Sequence, residues 1–157
     1  MTMASLARYT SVFHIRRERE AAAVSATIRD LSIKAPYPDL PVSSMSGGNQ
    51  QKVVIAKALM TSPKVLLMDE PSRGIDIGAK ADVFRTMRRL AADGLGILFV
   101  TSDLEEVMAL SDRIAVMSNG RVTRLFEPGE ATEDAVVLAS SVGHGTHSHS
   151  SPASVTP

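Results

Sequence analysis

Lys64 to Asp76 read KVLLMDEPSRGID, and the fold turns on how this stretch is understood. Val65, Leu66, Leu67 and Met68 are four consecutive apolar residues that end in acid. An apolar run of that length, bounded by turn signals, is the pattern of a parallel strand buried on both faces. Pro71 and Gly74 then break the chain, and Asp76 is placed to cap a helix. That helix is expected to run through Asp93, with Val83, Phe84, Met87, Leu90 and Ala91 on its core face and Gly94 ending it. GILFV, Gly96 to Val100, repeats the buried-strand pattern. Strand, helix and strand in this order describe an α/β unit with a mainly parallel sheet.

Downstream of that unit, Ser102 and Glu105 have the spacing of a capping box for a short helix ending near Leu110. RIAVMS-NG-RVTRL is a hairpin, with Asn119-Gly120 at a type I′ turn. A last short helix is expected over about Thr132 to Ser140. From Gly143 to Pro157 the chain is rich in Ser, His, Gly and Pro and poor in apolar residues, the composition of a disordered tail. His144, His147 and His149 lie in that tail. Without supporting neighbours they bind a transition metal only weakly.

Upstream, KAPYPDLPVSS carries three prolines and reads as an extended connection. Before it, Ala21, Val24, Ile28 and Leu31 recur at helical spacing within a helix from about Ile15 to Asp30. Its RRERE start reads as a solvated face. After the connection stands MSGGNQQK, Met45 to Lys52, which opens a helix running from about Ser46 to Thr61. Free backbone N–H groups and the positive end of the helix dipole favour an anion there. The glycines let a ligand approach the backbone closely, and Ser46 adds a hydroxyl or serves as an ordinary N-cap. A phosphate loop of the G-x-x-x-x-G-K-[ST] kind needs a Gly-Lys pair, and this chain has none.

Composition narrows the function. A chain of 157 residues, 44% hydrophobic and 22% charged, can bury the core of about one globular domain. Seventeen basic and seventeen acidic residues cancel, which gives no field favouring nucleic acid or an anionic membrane. The absence of cysteine is compatible with a reducing compartment. MTMASLARYT has no apolar core of a secretory signal. KVVIAKALM is far too short to span a bilayer, so a membrane role is expected only through a partner.

In an α/β sheet the ligand crevice lies at the carboxyl ends of parallel strands. Asp69 is therefore a candidate for holding Mg²⁺ or its water shell. Glu70 is a candidate for orienting or deprotonating an attacking water. Each of these features alone is equally a turn or a cap.

Taken together they have an order: SGGNQQ at Ser46, LLMDEP about twenty residues on, SRGID immediately after, and VTSDLEEV beyond. This order resembles the ATP-binding subunit of ABC transporters. It is similar in particular to the second nucleotide-binding half of bacterial importers for monosaccharides and polyols (ribose, xylose and erythritol types). The resemblance covers about Met1 to Leu138. It implies a partial P-loop NTPase fold over residues 1–142, with a helical subdomain over about 12–61 and the α/β core over 62–142. On that resemblance, Ser46, Gly47, Gly48, Asn49 and Gln50 form the signature loop, which contacts the γ-phosphate of an ATP held by the opposite half. Asp69 is the metal acid and Glu70 the water-positioning acid. Ser72 to Asp76 form the loop that crosses the interface between halves, and Ser102 stands where many members have a switch histidine.

The cofactors implied are ATP and Mg²⁺. The partners implied are a membrane-spanning permease subunit, another nucleotide-binding half and, indirectly, a periplasmic sugar-binding protein. The place implied is the cytoplasmic face of the inner membrane. Two departures accompany the resemblance. No Walker A loop or Q-loop is present, so the chain reads as beginning after them, and Ser102 cannot carry the charge of an imidazolium. The expected protein is a C-terminal piece of a carbohydrate-import ATPase, inactive alone. The alternatives are a non-catalytic module lending its signature loop in trans, or a decayed gene fragment with exposed apolar edges.

Overall fold

The computed structural model describes residues 1–11 and 14–142. The proposed disordered tail, with His144, His147 and His149, lies outside them. The chain divides into two compact units, the first ending at Ser102 and the second beginning at Asp103.

The first unit opens with a 3-10 segment, Thr2–Arg8, and a two-stranded antiparallel ribbon of β1 (Thr10–Ser11) and β2 (His14–Ile15). Sequence periodicity does not reveal either element, because each is too short to show a repeat. Arg8 secures the 3-10 segment by donating to the Met60 carbonyl at 3.2 Å and to Ser62 Oγ at 2.8 Å. Helix α1 spans Arg17–Asp30. Its charged start is exposed, as expected, but none of its residues is buried; Val24 and Ile28 are only partly covered. The buried apolar positions come just after it, at Leu31 and Ile33.

Helix α2 (Gly47–Leu59) follows the proline-rich connection, which holds a single 3-10 turn at Val42–Ser44. Val53, Ile55 and Ala56 form its buried side. Strand β3 (Val65–Asp69), helix α3 (Ile77–Ala92) and strand β4 (Gly96–Val100) complete the unit. Asp76 caps α3 by accepting from the Ala79 N–H at 2.9 Å. Gly94, at φ +92°, ends the helix. Its N–H reaches the Ala91 carbonyl and the Leu95 N–H reaches that of Leu90, the paired bonds of a Schellman stop. Val83, Thr86 and Met87 are the buried residues of α3.

Strands β3 and β4 pair in parallel, with Leu67 opposite Leu98 and Asp69 opposite Val100. The expectation of burial on both faces fails here. Leu66 and Met68 are buried, whereas Val65, Leu67, Leu98 and Val100 are 57%, 70%, 60% and 56% exposed. Strand side chains alternate between faces, and only one face of this two-stranded ladder is covered.

The second unit holds α4 (Leu104–Leu110), the hairpin of β5 (Ile114–Ser118) and β6 (Arg121–Phe126), and α5 (Glu133–Ser141). Asn119 and Gly120 both have positive φ, at 50° and 74°, as the type I′ turn requires. Ile114, Val116, Phe126, Val136 and Ala139 make its core, with Leu104, Val107 and Met108 packed against them. The cap of α4 differs from expectation. Asp103, not Ser102, precedes the helix and accepts from the Glu106 N–H at 3.3 Å. A carboxylate directly before the first turn reaches the orphan N–H that a residue one position earlier cannot.

Candidate functional site: the α2 entry loop and the acidic strand end

Two places in the first unit carry the residues singled out from sequence. The first is the entry of α2. Ser46 is the N-cap residue, but its side chain makes no capping bond. Its Oγ instead accepts from Asn49 Nδ2 at 2.9 Å. Asn49 Oδ1 accepts the Lys34 N–H at 2.9 Å, and Gln50 Nε2 donates to the Met45 carbonyl at 2.8 Å. The loop is thus stiffened by its own amides. The first N–H groups of α2 have no partner within the helix and carry the positive end of its dipole.

The two glycines have a use that sequence reading did not find. A Cβ on Gly48 would stand 2.5 Å from Ala79 Cβ, and one on Gly47 would stand 2.9 Å from Ile75 Cγ2. They allow α2 to press its first turn against the Ser72–Asp76 segment and the start of α3. Close backbone approach, expected toward a ligand, is here an approach of the chain to itself.

Lys52 is a residue that sequence reading missed as part of this place. It is buried, at 7% exposure, with Nζ 3.4 Å from the Ser32 carbonyl and 3.7 Å from Asp82 Oδ2. A lysine one helical turn past Asn49, at the head of an otherwise apolar run, was the available signal. Ser46, Asn49 and Lys52 at the entry of α2 and Asp76, Ala79 and Asp82 at the entry of α3 line a polar recess of about 270 Å³. Ser46, Gly48, Asn49 and Asp76 therefore share one place, although Asp76 also spends an oxygen on its helix cap.

The second place is the carboxyl end of the parallel ladder. Asp69 closes β3 and is exposed. Glu70 lies just past the strand, with φ at +44° in the left-handed region. Its orientation follows from that turn rather than from strand alternation. Its N–H donates to the Val100 carbonyl at 2.8 Å. Its carboxylate accepts the Ser102 N–H at 3.1 Å and the Thr101 hydroxyl at 3.4 Å. Glu70 and Ser102 are thereby joined through the Ser102 backbone, not its hydroxyl. Asp69, Glu70 and Ser102 do not line the α2 recess.

Asp69 suits a magnesium ion to a limited extent. Magnesium takes one or two protein carboxylates and fills its remaining positions with water and phosphate oxygens. One exposed carboxylate at a strand end meets that need. No cluster of three metal-ligating side chains exists among the described residues. Among the same residues no helix is long and apolar enough to cross a membrane.

Known proteins resemble this chain in sequence and in fold. Residues 2–73 match the ABC transporter family model. The xylose import ATP-binding protein XylG of Geobacillus kaustophilus is 42% identical over 142 residues, which cover 90% of this chain and 28% of that protein. The ribose import ATP-binding protein RbsA 2 of Rhizobium meliloti is 45% identical over 141 residues, covering 89% of this chain and 28% of that protein. The chain thus spans little more than a quarter of the length of these relatives. A nucleotide-free ATP-binding cassette from an ABC transporter superposes with a TM-score of 0.69 at 30% identity, over 82% of this chain and 50% of that one. A cassette in its ADP conformation gives 0.67 at 29% identity, over 85% of this chain and 54% of that one. With the ordered motifs, the parallel ladder and its acidic end in view, the chain belongs to the ATP-binding cassette family of ABC transporters.

Proposed function

We propose that the chain is part of the ATP-hydrolysing subunit of a carbohydrate importer, acting on a monosaccharide or polyol. In this reading Ser46 to Gln50 receive the γ-phosphate of an ATP held by another nucleotide-binding half. The Ser46 hydroxyl and the first N–H groups of α2 are the donors. Asp69 holds Mg²⁺, whose charge offsets that of the phosphate oxygens. Glu70 positions the attacking water and accepts its proton, and Ser102 stands beside it on the following loop. Asp76 borders the same phosphate from the far side of the recess.

The observation that carries the reading is the separation of the two places. The entry loop of α2 lines one recess, and the acids of the strand end lie outside it. That division suits a protein whose loop serves one nucleotide while its acids serve another. The chain contains no Gly-Lys pair to cradle phosphates, so the lysine for each must come from elsewhere.

The helical subdomain over about 12–61 would contact a membrane-spanning permease, with a periplasmic sugar-binding protein acting through it. The core over 62–142 would hold the acids. In this reading the protein works at the cytoplasmic face of the inner membrane. The sequence match to xylose and ribose import proteins supports a carbohydrate as cargo.

The test is reconstitution. The pure chain should not hydrolyse ATP. Mixed with a cassette half that carries a Gly-Lys-Ser/Thr loop, it should give Mg²⁺-dependent hydrolysis that Ser46→Ala reduces. Turnover by the chain alone, abolished by Glu70→Gln, would overturn the requirement for a second half.

A further inference from the structure

We propose that Asn49 is a positioning residue: it turns the Ser46 hydroxyl outward as a donor, so that the loop accepts an anion rather than offering it a lone pair. The inference rests on the reading of Ser46 to Gln50 as a phosphate-receiving loop and deepens it.

The wiring is directional. The backbone N–H of Lys34 can only donate, so the Asn49 atom 2.9 Å from it is the carbonyl oxygen. The other end of the same amide is then Nδ2, which can only donate, and it faces Ser46 Oγ at 2.9 Å. The serine oxygen is an acceptor in that bond. Its own proton remains to be given to something else, and Ser46 lines the recess. The Asn49 bond uses only the serine oxygen as an acceptor and leaves the hydroxyl proton to point into the recess.

The Lys34 N–H is itself held in place. The segment before it turns at Ser32, where φ is +50°, and the Ser32 carbonyl accepts from buried Lys52 at 3.4 Å. Asn49 and Lys52 lie one turn apart on α2, so one helix grips the Ser32–Lys34 segment twice. A rigid donor at Lys34 makes one orientation of the Asn49 amide the only one that satisfies both neighbours. The remaining proton on Ser46 is set by the same choice.

Asn49→Asp separates this role from a merely structural one. An aspartate still accepts from the Lys34 N–H, so the loop stays tethered. Its second oxygen now accepts from Ser46, which reverses the hydroxyl and withdraws the donor. A carboxylate also repels phosphate directly, and a double-mutant cycle with Ser46→Ala isolates that effect.

The experiment uses the full chain and, as probe, an ATP·Mg²⁺-loaded cassette half that carries a Gly-Lys-Ser/Thr loop. Binding should weaken about tenfold or more in Ser46→Ala and in Asn49→Asp, as expected for loss of a hydrogen bond to a charged group. Asn49→Ala, which frees the hydroxyl without reversing it, should fall between wild type and Asn49→Asp. Much of the Asn49→Asp effect should vanish in the Ser46→Ala background. Full additivity, or wild-type binding by Asn49→Asp, overturns the proposal and leaves the phosphate-receiving loop standing.

If the wild-type chain shows no ATP-dependent binding, that reading of the loop fails. The wiring is then decided by nuclear magnetic resonance of the Asn49 side-chain amide. Ser46→Ala should shift one Asn49 Nδ2 proton and speed its exchange while the Lys34 N–H stays protected. No change at Asn49 overturns the proposal. The same measurement decides the matter if Asn49→Asp does not fold.

Discussion

Gly48 and Ala79 meet so closely that a methyl group on Gly48 would lie 2.5 Å from Ala79 Cβ. That contact seats the first turn of α2 on the start of α3, and both helices line the recess beside Ser46. Gly48→Ala should force the helices apart and destabilise the chain by about 1–3 kcal/mol, the range for overpacking a close contact. Thermal or urea unfolding measures this. Gly47→Ala should cost less, because its nearest neighbour, Ile75 Cγ2, stands farther off, at 2.9 Å, and belongs to the loop before α3 rather than to a packed helix. The double variant Gly48→Ala/Ala79→Gly should recover part of the loss. Equal stability of Gly48→Ala and wild type would show that the contact is not tight in solution.

Lys52 gives a second prediction. Its side chain is 8% exposed and that of Asp82 is 43% exposed, and Asp82 also pairs with Arg85 at 2.7 Å. Asp82 thus keeps solvent and a partner when Lys52 is removed, whereas the Ser32 carbonyl loses a donor. Lys52→Ala should destabilise by about 1–3 kcal/mol, through the unpaired carbonyl and the lost packing of the stem. Lys52→Met, which keeps most of the stem, should cost less than Lys52→Ala. Equal losses for the two in chemical denaturation would place the effect in the lost charge and hydrogen bond rather than in packing.

Glu70→Gln should leave the fold nearly intact. A glutamine oxygen still accepts the Ser102 N–H that Glu70 Oε1 accepts at 3.1 Å. The left-handed backbone at this residue is unchanged by the substitution. In a reconstituted assembly, hydrolysis at the site served by Glu70 should fall by about 10²–10⁴-fold, the usual contribution of a general base. Single-turnover assays would read the fall, with nucleotide binding measured alongside. Unchanged hydrolysis at that site would remove Glu70 from the chemistry.

The uncovered face of the β3–β4 ladder should be sticky. Val65, Leu67, Leu98 and Val100 form a contiguous apolar surface, with Leu67 directly opposite Leu98. Parallel strands ordinarily have both faces covered, and exposed apolar patches of this kind promote association. Leu67→Thr/Leu98→Thr should lower binding of a hydrophobic dye and lower light scattering. It should change unfolding stability by less than about 1 kcal/mol, as for surface positions. A large loss of stability would mean that this face is covered in solution.

Much of the fold was legible because its signals are local. Asn119-Gly120 demands a hairpin, since both residues must take positive φ. Gly94 stops a helix for the same reason, and Asp76 caps one with its own oxygen. The family itself was legible from the order of four short motifs. Less legible was the α4 cap, where Ser102 and Asp103 are both good capping residues and only the observed backbone path selects Asp103. The burial of β3 and β4 was misread because an apolar run records what a strand can bury, not what covers it.

The sequence by itself determined the kinds of element, their order, their turns and the family to which they belong. All of these depend on residues a few positions apart, where backbone dihedrals and helix or strand periodicity act directly. Only the tertiary structure decided that Gly48 is spent against Ala79, that Lys52 grips the Ser32 carbonyl, and that Asn49 stands between Lys34 and Ser46. Those relationships exist because distant segments return to one place. There, sub-ångström clearances and the direction of each hydrogen bond determine what a side chain is free to do.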